Sequence, residues 1–277
     1  MIAIAAALRD IPQGIEPREA EALLLWVLQK DRAFLRTWPQ HELTDAQAER
    51  YQQALSRLAA GEPLAYVMGE QAFWTLVLAV TPDTLIPRPD TERLVELALD
   101  AWQRMDNPTR ILDLGTGSGA IALSLAKECP QAQVTATDFS AAALAVAQAN
   151  AHHHGLSHCV FKQGSWFDAL NPDDRFDLIV SNPPYIDPTD RHLPALIHEP
   201  ISALTAPEHG LADLRQIVQG AAHYLQPQGW LLVEHGYDQG QAVRDVFETA
   251  GFTQVITVQD YGGHDRVTLG IYGLYLS

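Results

Sequence analysis

Asn182, Pro183, Pro184 and Tyr185 follow an apolar run at residues 176–180, and their types and order suit the task of holding a planar NH2 group. The lone pair of an amide or exocyclic amine nitrogen is delocalised into its π-system, so such a nitrogen is a poor nucleophile. A catalyst that alkylates it must hold the group by its hydrogens. The side-chain carbonyl of Asn182 can accept one hydrogen, and the backbone carbonyl of Pro183 the other. The prolines bring no N–H to compete and bias the residues before them toward extended backbone. Tyr185 adds a flat face against which a planar amide or base can stack. The plainer alternative is a stiff turn in which Asn182 closes an Asx-type hydrogen bond.

A second constellation runs Ile111, Leu112, Asp113, Leu114, Gly115, Thr116, Gly117, Ser118, Gly119, a strand ending in a glycine-rich turn that opens a helix. Glycines there let backbone approach a ligand closely. Residues 115–120 also satisfy the loose dinucleotide fingerprint with Ala120 in last place, so glycine spacing alone leaves NAD open. Asp113 and the alternation of Gly115, Gly117 and Gly119 resemble the first motif of class I S-adenosylmethionine-dependent methyltransferases. Asp138, at the end of the next predicted strand, is placed to accept hydrogen bonds from a ribose diol; a helix N-cap is the alternative. Trp166 and Phe167 follow the third strand, where an adenine could rest on an aromatic surface, or where both could simply pack the core.

Other residues carry less chemistry. His152, His153 and His154 are consecutive, so on a helix they cannot all face one metal, and no metal site is expected. Glu234, His235 and Gly236 follow a strand and could face the ligand edge of a sheet or form a satisfied strand-end pair. No Ser/His/Asp or Cys/His arrangement stands out. Transfer from a sulfonium needs none, because positioning in line with the leaving group supplies most of the effect.

These residues need elements to position them. Through residue 64 the pattern is helical, with predicted helices at 16–29, where Ala20, Leu23, Leu24 and Val27 share a face, and at 44–58, with Thr44 as N-cap. Residues 73–80 turn β-rich, and prolines punctuate the chain before a helix near Thr91. We therefore expect a helical N-terminal domain over residues 1–72 and an α/β domain over 73–277, with 73–90 as a β-rich connecting segment. Seven strands, at 110–114, 133–138, 159–163, 177–181, 230–235, 254–258 and 266–271, alternate with helices such as 120–127 and 140–153. That alternation predicts a parallel sheet with helices on both faces. Residues 186–206 are polar and Pro-punctuated, and are expected to form a loop bordering the site.

Composition narrows the partners. The 277 residues carry a formal net charge of −16, which argues against a broad phosphate-binding surface and suits a basic protein partner. No apolar stretch approaches the roughly 20 residues of a membrane span, and the first ten residues lack the pattern of a signal peptide. A cytoplasmic location is expected, with Cys129 and Cys159 as unpaired thiols.

Taken together, the run Ile86, Pro87, Arg88, Pro89, Asp90, Thr91, Glu92, the glycine turn, Asp138 and Asn182 to Tyr185 resemble the HemK/PrmC protein-glutamine methyltransferases over essentially the whole chain. The resemblance implies a Rossmann-like seven-stranded class I methyltransferase domain with a small all-helical N-terminal domain that helps grip the substrate. It implies methyl transfer from S-adenosylmethionine, leaving S-adenosylhomocysteine, to the glutamine side chain in the Gly-Gly-Gln motif of class 1 peptide-chain release factors. Gly115, Thr116, Gly117, Ser118, Gly119, Asp138, Trp166 and Asn182 would bind the cofactor. Asn182, Pro183, Pro184 and Tyr185 would hold the glutamine, and Arg88 and Pro89 would line the same mouth. A ribosomal-protein glutamine is a sibling substrate. An adenine amino group in DNA poses the same chemical problem, but its enzyme must extrude a base and bind duplex backbone, for which this acidic chain offers no evident surface.

Overall fold

The computed structural model describes residues 2–105 and 109–273. The chain forms two compact units, Met1–Glu70 and Gln71–Ser277.

Among its described residues the first unit holds five helices, α1 (Ile4–Arg9), α2 (Pro17–Leu28), α3 (Arg32–Thr37), α4 (Asp45–Ala59) and α5 (Leu64–Met68). Capping boxes start the two longest. Glu16 and Glu19 exchange side-chain and backbone hydrogen bonds ahead of α2, and Thr44 and Gln47 do the same for α4. Behind those caps, Ala20, Leu23, Leu24 and Val27 of α2 meet Tyr51, Ala54 and Leu55 of α4 in one apolar core.

The second unit opens with a hairpin of β1 (Glu70–Phe73) and β2 (Leu76–Ala79), and then passes into α6 (Glu92–Arg104). Strands and helices then alternate as β3 (Arg110–Leu114), α7 (Ala120–Glu128), β4 (Gln133–Asp138), α8 (Ala141–His153), β5 (Val160–Gln163) and β6 (Phe176–Ser181). A short turn, α9 (Pro207–Gly210), precedes α10 (Ala212–Tyr224), β7 (Leu225–Glu234), α11 (Gly240–Thr249), β8 (Phe252–Gln259) and β9 (Asp265–Tyr272). The seven-stranded sheet has the order β5-β4-β3-β6-β7-β9-β8.

Side chains alternate across this sheet with the period of two that a strand imposes. Ile111, Leu178, Val180 and Leu232 face one layer with Leu94, Ala98, Leu123 and Ala126 of α6 and α7. Leu112, Ile179, Leu231 and Val233 face the other, against Leu214 and Ile217 of α10 and Val243 and Phe247 of α11.

One strand departs from the expected parallel sheet. β9 runs antiparallel to both β7 and β8. Only residues 260–264 join β8 to β9, too few for the crossover of a dozen or so residues that a parallel return needs. The segment instead folds as a turn in which Asp260 accepts hydrogen bonds from the backbone of Gly262 and His264.

From β3 the chain steps outward through β4 to β5, then returns to the other side of β3 as β6. This reversal is a topological switch point, and ligands of open α/β sheets bind at the carboxyl ends of the strands that flank one. The glycine turn follows β3, and Asn182 follows β6.

Asn150 on α8 ties the hairpin to that turn. Its Oδ1 accepts from Ala79 N at 2.8 Å, while its Nδ2 donates to Ala79 O at 3.0 Å and Ser118 O at 2.9 Å. Asn150→Ala would leave these backbone groups, the Ser118 carbonyl buried among them, without their partner and is expected to lower the unfolding free energy by about 2 kcal/mol, measured by urea titration.

Candidate active site

The carboxyl ends of β3, β4 and β6 border a cavity of about 360 Å3, a volume within the range of small-molecule sites. Gly115, Gly117, Asp138, Trp166, Asn182 and Pro184 line it. Thr116, Ser118, Gly119, Pro183 and Tyr185 lie on the same two turns without lining the cavity, and Arg88 and Pro89 do not line it either.

Gly115 takes φ +74°, and a Cβ there would sit 3.1 Å from the Trp166 ring. The residue is glycine because the backbone turns left-handed beneath an indole. Trp166 is itself held in a left-handed conformation at φ 46°. Its carbonyl accepts from Thr137 Oγ1 at 3.0 Å, and its side chain lines the cavity together with Asp213. Phe167, in contrast, packs in the core, stacked on Tyr224 with ring centroids 4.9 Å apart.

Asp138 is fixed from two sides. Its Oδ2 accepts from Gly117 N and its Oδ1 from Ser140 N, each at 2.9 Å. The N-cap role on α8 falls to Ser140, which accepts from Ala143 N at 3.2 Å. Burial raises the Asp138 carboxyl above the ordinary range, and these backbone donors oppose that rise. Deeper in, Asp113 is pushed up to about 7 by complete burial, against hydrogen bonds from Thr116 and Ala122.

Asp83, Asp138 and Asp213 bring three carboxylates to the cavity lining, and no lysine, arginine or histidine joins them. A diphosphate would meet like charge here, whereas a ligand carrying ammonium or sulfonium charge would not. Among the described residues no group of three or more His, Cys, Asp or Glu could hold a metal ion.

At the end of β6, Asn182 Nδ2 donates to Thr91 Oγ1 at 3.1 Å. No donor among the described residues takes Asn182 Oδ1 or the Pro183 carbonyl. Tyr185 packs against the core, and its hydroxyl donates to Glu234 Oε1 at 3.2 Å. Its carbonyl accepts from Gln239 Nε2 at 3.0 Å, and a Cβ on Gly210 would sit 1.9 Å from the same oxygen. The backbone leaving the motif is thereby clamped. His235 is buried between Thr268 and the Gly236 carbonyl, and burial lowers its pKa.

The loop at 186–206 contains two 3-10 turns, Leu193–Leu196 and Ile201–Ala203, and its ends meet where Ile186 bridges Thr205. Glu199 is buried and accepts from Ile86 N at 3.1 Å while pairing with Arg88. This clasp joins two stretches of the rim, because Thr84 and Leu85 on one side and Pro200 and Ser202 on the other line the cavity.

Several lining residues escaped the sequence reading. Phe139 is 58% exposed beside Asp138, and its place directly after the acid was the available signal. Asp213 comes from a distant helix, and nothing local marked it. Thr91, which bonds Asn182 without lining the cavity, belongs to the run at 86–92, where the resemblance singles out only Arg88 and Pro89.

A mostly parallel sheet of this order, with a glycine turn at its switch point and an acid after the neighbouring strand, defines the class I methyltransferases. The chain matches the methyltransferase domain model over residues 105–263 and the PrmC N-terminal domain model over residues 2–69. It is 52% identical to the release factor glutamine methyltransferase of Vibrio cholerae, over 92% of this chain and 89% of that one. The corresponding protein of Xylella fastidiosa strain 9a5c is 52% identical over 96% of each chain. At the level of fold alone, a methyltransferase from Pyrococcus furiosus aligns with a TM-score of 0.55 at 16% identity, covering 80% of this chain and 100% of that one. The chain belongs to the release factor glutamine methyltransferase family.

Glu234 gives a pH test of this site. Burial pushes its carboxyl up to about 7 from 4.5, against the nearby Thr91, Arg266 and Tyr185, while Asp90 adds to the rise. A carboxyl raised on folding stabilises the fold below its unfolded pKa, and that contribution is lost as pH rises through the folded value. Glu234→Gln removes this loss, so the variant is expected to gain stability over the wild type at pH 8 relative to pH 5, by on the order of 3 kcal/mol at most. Thermal unfolding at the two pH values measures it. An equal difference at both would mean that Glu234 keeps its ordinary pKa.

Proposed function

We propose that this protein transfers a methyl group from S-adenosylmethionine to the side-chain amide nitrogen of the glutamine in the Gly-Gly-Gln motif of class 1 peptide-chain release factors. The observation that carries the reading is the pair of acceptors at the carboxyl end of β6. Asn182 Oδ1 and the Pro183 carbonyl are left without donors in the described chain, and Asn182 lines a cavity of acidic character. Two acceptors match the two hydrogens of a primary amide. Identity of 52% over nearly the full length of two named relatives supports the choice of a release factor as the substrate.

The residues present fit the cofactor. Asp138 would receive the ribose hydroxyls, Trp166 and Phe139 would flank the adenine, and the backbone of Gly115 and Gly117 would lie against the amino-acid portion. When bound, S-adenosylmethionine supplies an electrophilic methyl group on a positively charged sulfur. The protein contributes position. Asn182 and Pro183 orient the amide, and the clamp on Tyr185 by Gln239 and Gly210 keeps those acceptors in place. Such preorganised contacts do not have to reorganise during the reaction. Proton loss from the methylated amide can follow into water.

The test is to incubate the protein and labelled S-adenosylmethionine with a release factor, a ribosomal protein and DNA in parallel. Label is expected on the release factor's glutamine. Label in DNA alone would overturn the proposal, and label on the ribosomal protein alone would reassign the substrate. Asn182→Ala is expected to cut turnover by about 100-fold or more while leaving cofactor affinity nearly intact. Asp138→Ala is expected to act in the opposite sense, chiefly weakening cofactor binding measured by calorimetry.

A further inference from the structure

We propose that Thr91 is a positioning residue for the reaction, its hydroxyl fixing which end of the Asn182 carboxamide faces the cavity. The inference rests on the reading of Asn182 as an acceptor for the substrate amide. A carboxamide has two ends of nearly equal size, one an acceptor and one a double donor. Turned one way, Asn182 accepts a hydrogen from an incoming NH2 group. Turned the other, it sets donor against donor. A catalytic asparagine at this position therefore needs a partner that recognises one end only.

Thr91 meets that requirement. It is 4% exposed and, in helical geometry, joins a 3-10 turn at Pro89–Thr91 to the start of α6. Here it makes no side-chain cap bond, and its hydroxyl instead accepts from Asn182 Nδ2 at 3.1 Å. A hydroxyl can also donate, so its own proton must be directed elsewhere for the arrangement to be selective. Glu234 is the nearby acceptor. It is 1% exposed, its Oε1 already takes the Tyr185 hydroxyl, and its Oε2 is buried without a hydrogen-bond partner. The neighbouring Thr91 hydroxyl favours the ionised form of that carboxylate. A proton turned toward Glu234 would leave Thr91 presenting only a lone pair to Asn182.

The sheet register brings these groups together. Ser181 of β6 pairs with Val233 of β7, so Asn182 and Glu234 are the next residues along two adjacent strands. Thr91 arrives at both from the start of α6. Three segments far apart in sequence, at 91, 182 and 234, thus meet at the end of β6, where Asn182 lines the cavity. This meeting gives Thr91 a specific task within the run at 86–92.

The experiment compares Thr91→Val, which keeps the shape and removes the hydroxyl, with Thr91→Ser, which restores it. Thr91→Val is expected to lower kcat about 10-fold or more with KM for S-adenosylmethionine within about two-fold, and Thr91→Ser to stay within about three-fold of the wild type. In the double variant with Asn182→Ala, the Thr91→Val loss is expected to vanish, because a residue that acts through Asn182 has nothing left to position. A wild-type kcat in Thr91→Val, or losses that multiply in the double variant, would overturn the assignment.

A second measurement needs neither variants nor substrate. The side-chain NH2 of Asn182 in 15N-labelled wild-type protein is expected to show one hydrogen protected from solvent exchange. Two freely exchanging hydrogens would overturn the proposal. If the wild type labels no release factor, the proposed function fails, while this exchange result still decides the role of Thr91.

Discussion

β3 and β6 run side by side and then part, and the site depends on how that parting is held. Ser181, fully buried at the end of β6, donates its hydroxyl to the Leu114 carbonyl at the end of β3 at 2.7 Å. Beyond this cross-link the first strand bends into the glycine turn and the second into Asn182. Strand ends that diverge at a switch point leave a crevice no side chain of the sheet can fill. The glycine turn and Asn182 thus arise one residue past a largely buried pair of strands, which limits their freedom to drift. Precision of this kind matters because a misplacement of about 1 Å can cost about 100-fold in rate.

The chemistry of the crevice comes at a cost to the fold. Asp113 and Glu234 are completely buried and raised to about 7, so each opposes folding when ionised at neutral pH. Asp113 keeps one oxygen unpartnered while the other takes Thr116 and Ala122 around the glycine turn. Glu234 takes the Tyr185 hydroxyl on one oxygen and leaves the other buried without a partner. Apolar side chains would pack these places at lower cost, but would leave the turn and the asparagine without anchors.

Much of this architecture was legible because buried strands leave plain patterns. Residues 110–114 and 133–138 read as strands and fold as β3 and β4 with the same ends, since an apolar run stopped by glycine or by an acid has few other outcomes. The direction of β9 was not read, because apolar alternation marks a strand but not its sense; connection length decided that. The glycine turn and Asn182 were visible as chemistry. What joins them to the rest was not. Tyr185 presents a ring face in the sequence, but its hydroxyl's partner Glu234 lies 49 positions away. Thr91 and Asn182 are 91 positions apart. Asp213 reaches Trp166 from α10, and Glu199 closes on Arg88 across more than 100 positions. Such pairings follow from tertiary register, which a single sequence does not print.

One asparagine end and one proline carbonyl are proposed to hold both hydrogens of the substrate amide. A crystal structure of the protein with S-adenosylhomocysteine and its release-factor substrate tests this most directly. The glutamine amide nitrogen is predicted to lie about 3 Å from both Asn182 Oδ1 and the Pro183 carbonyl oxygen, with Asn182 Nδ2 still on Thr91. Asn182 turned with its nitrogen toward the substrate, or a glutamine amide bound to other acceptors, would contradict the account.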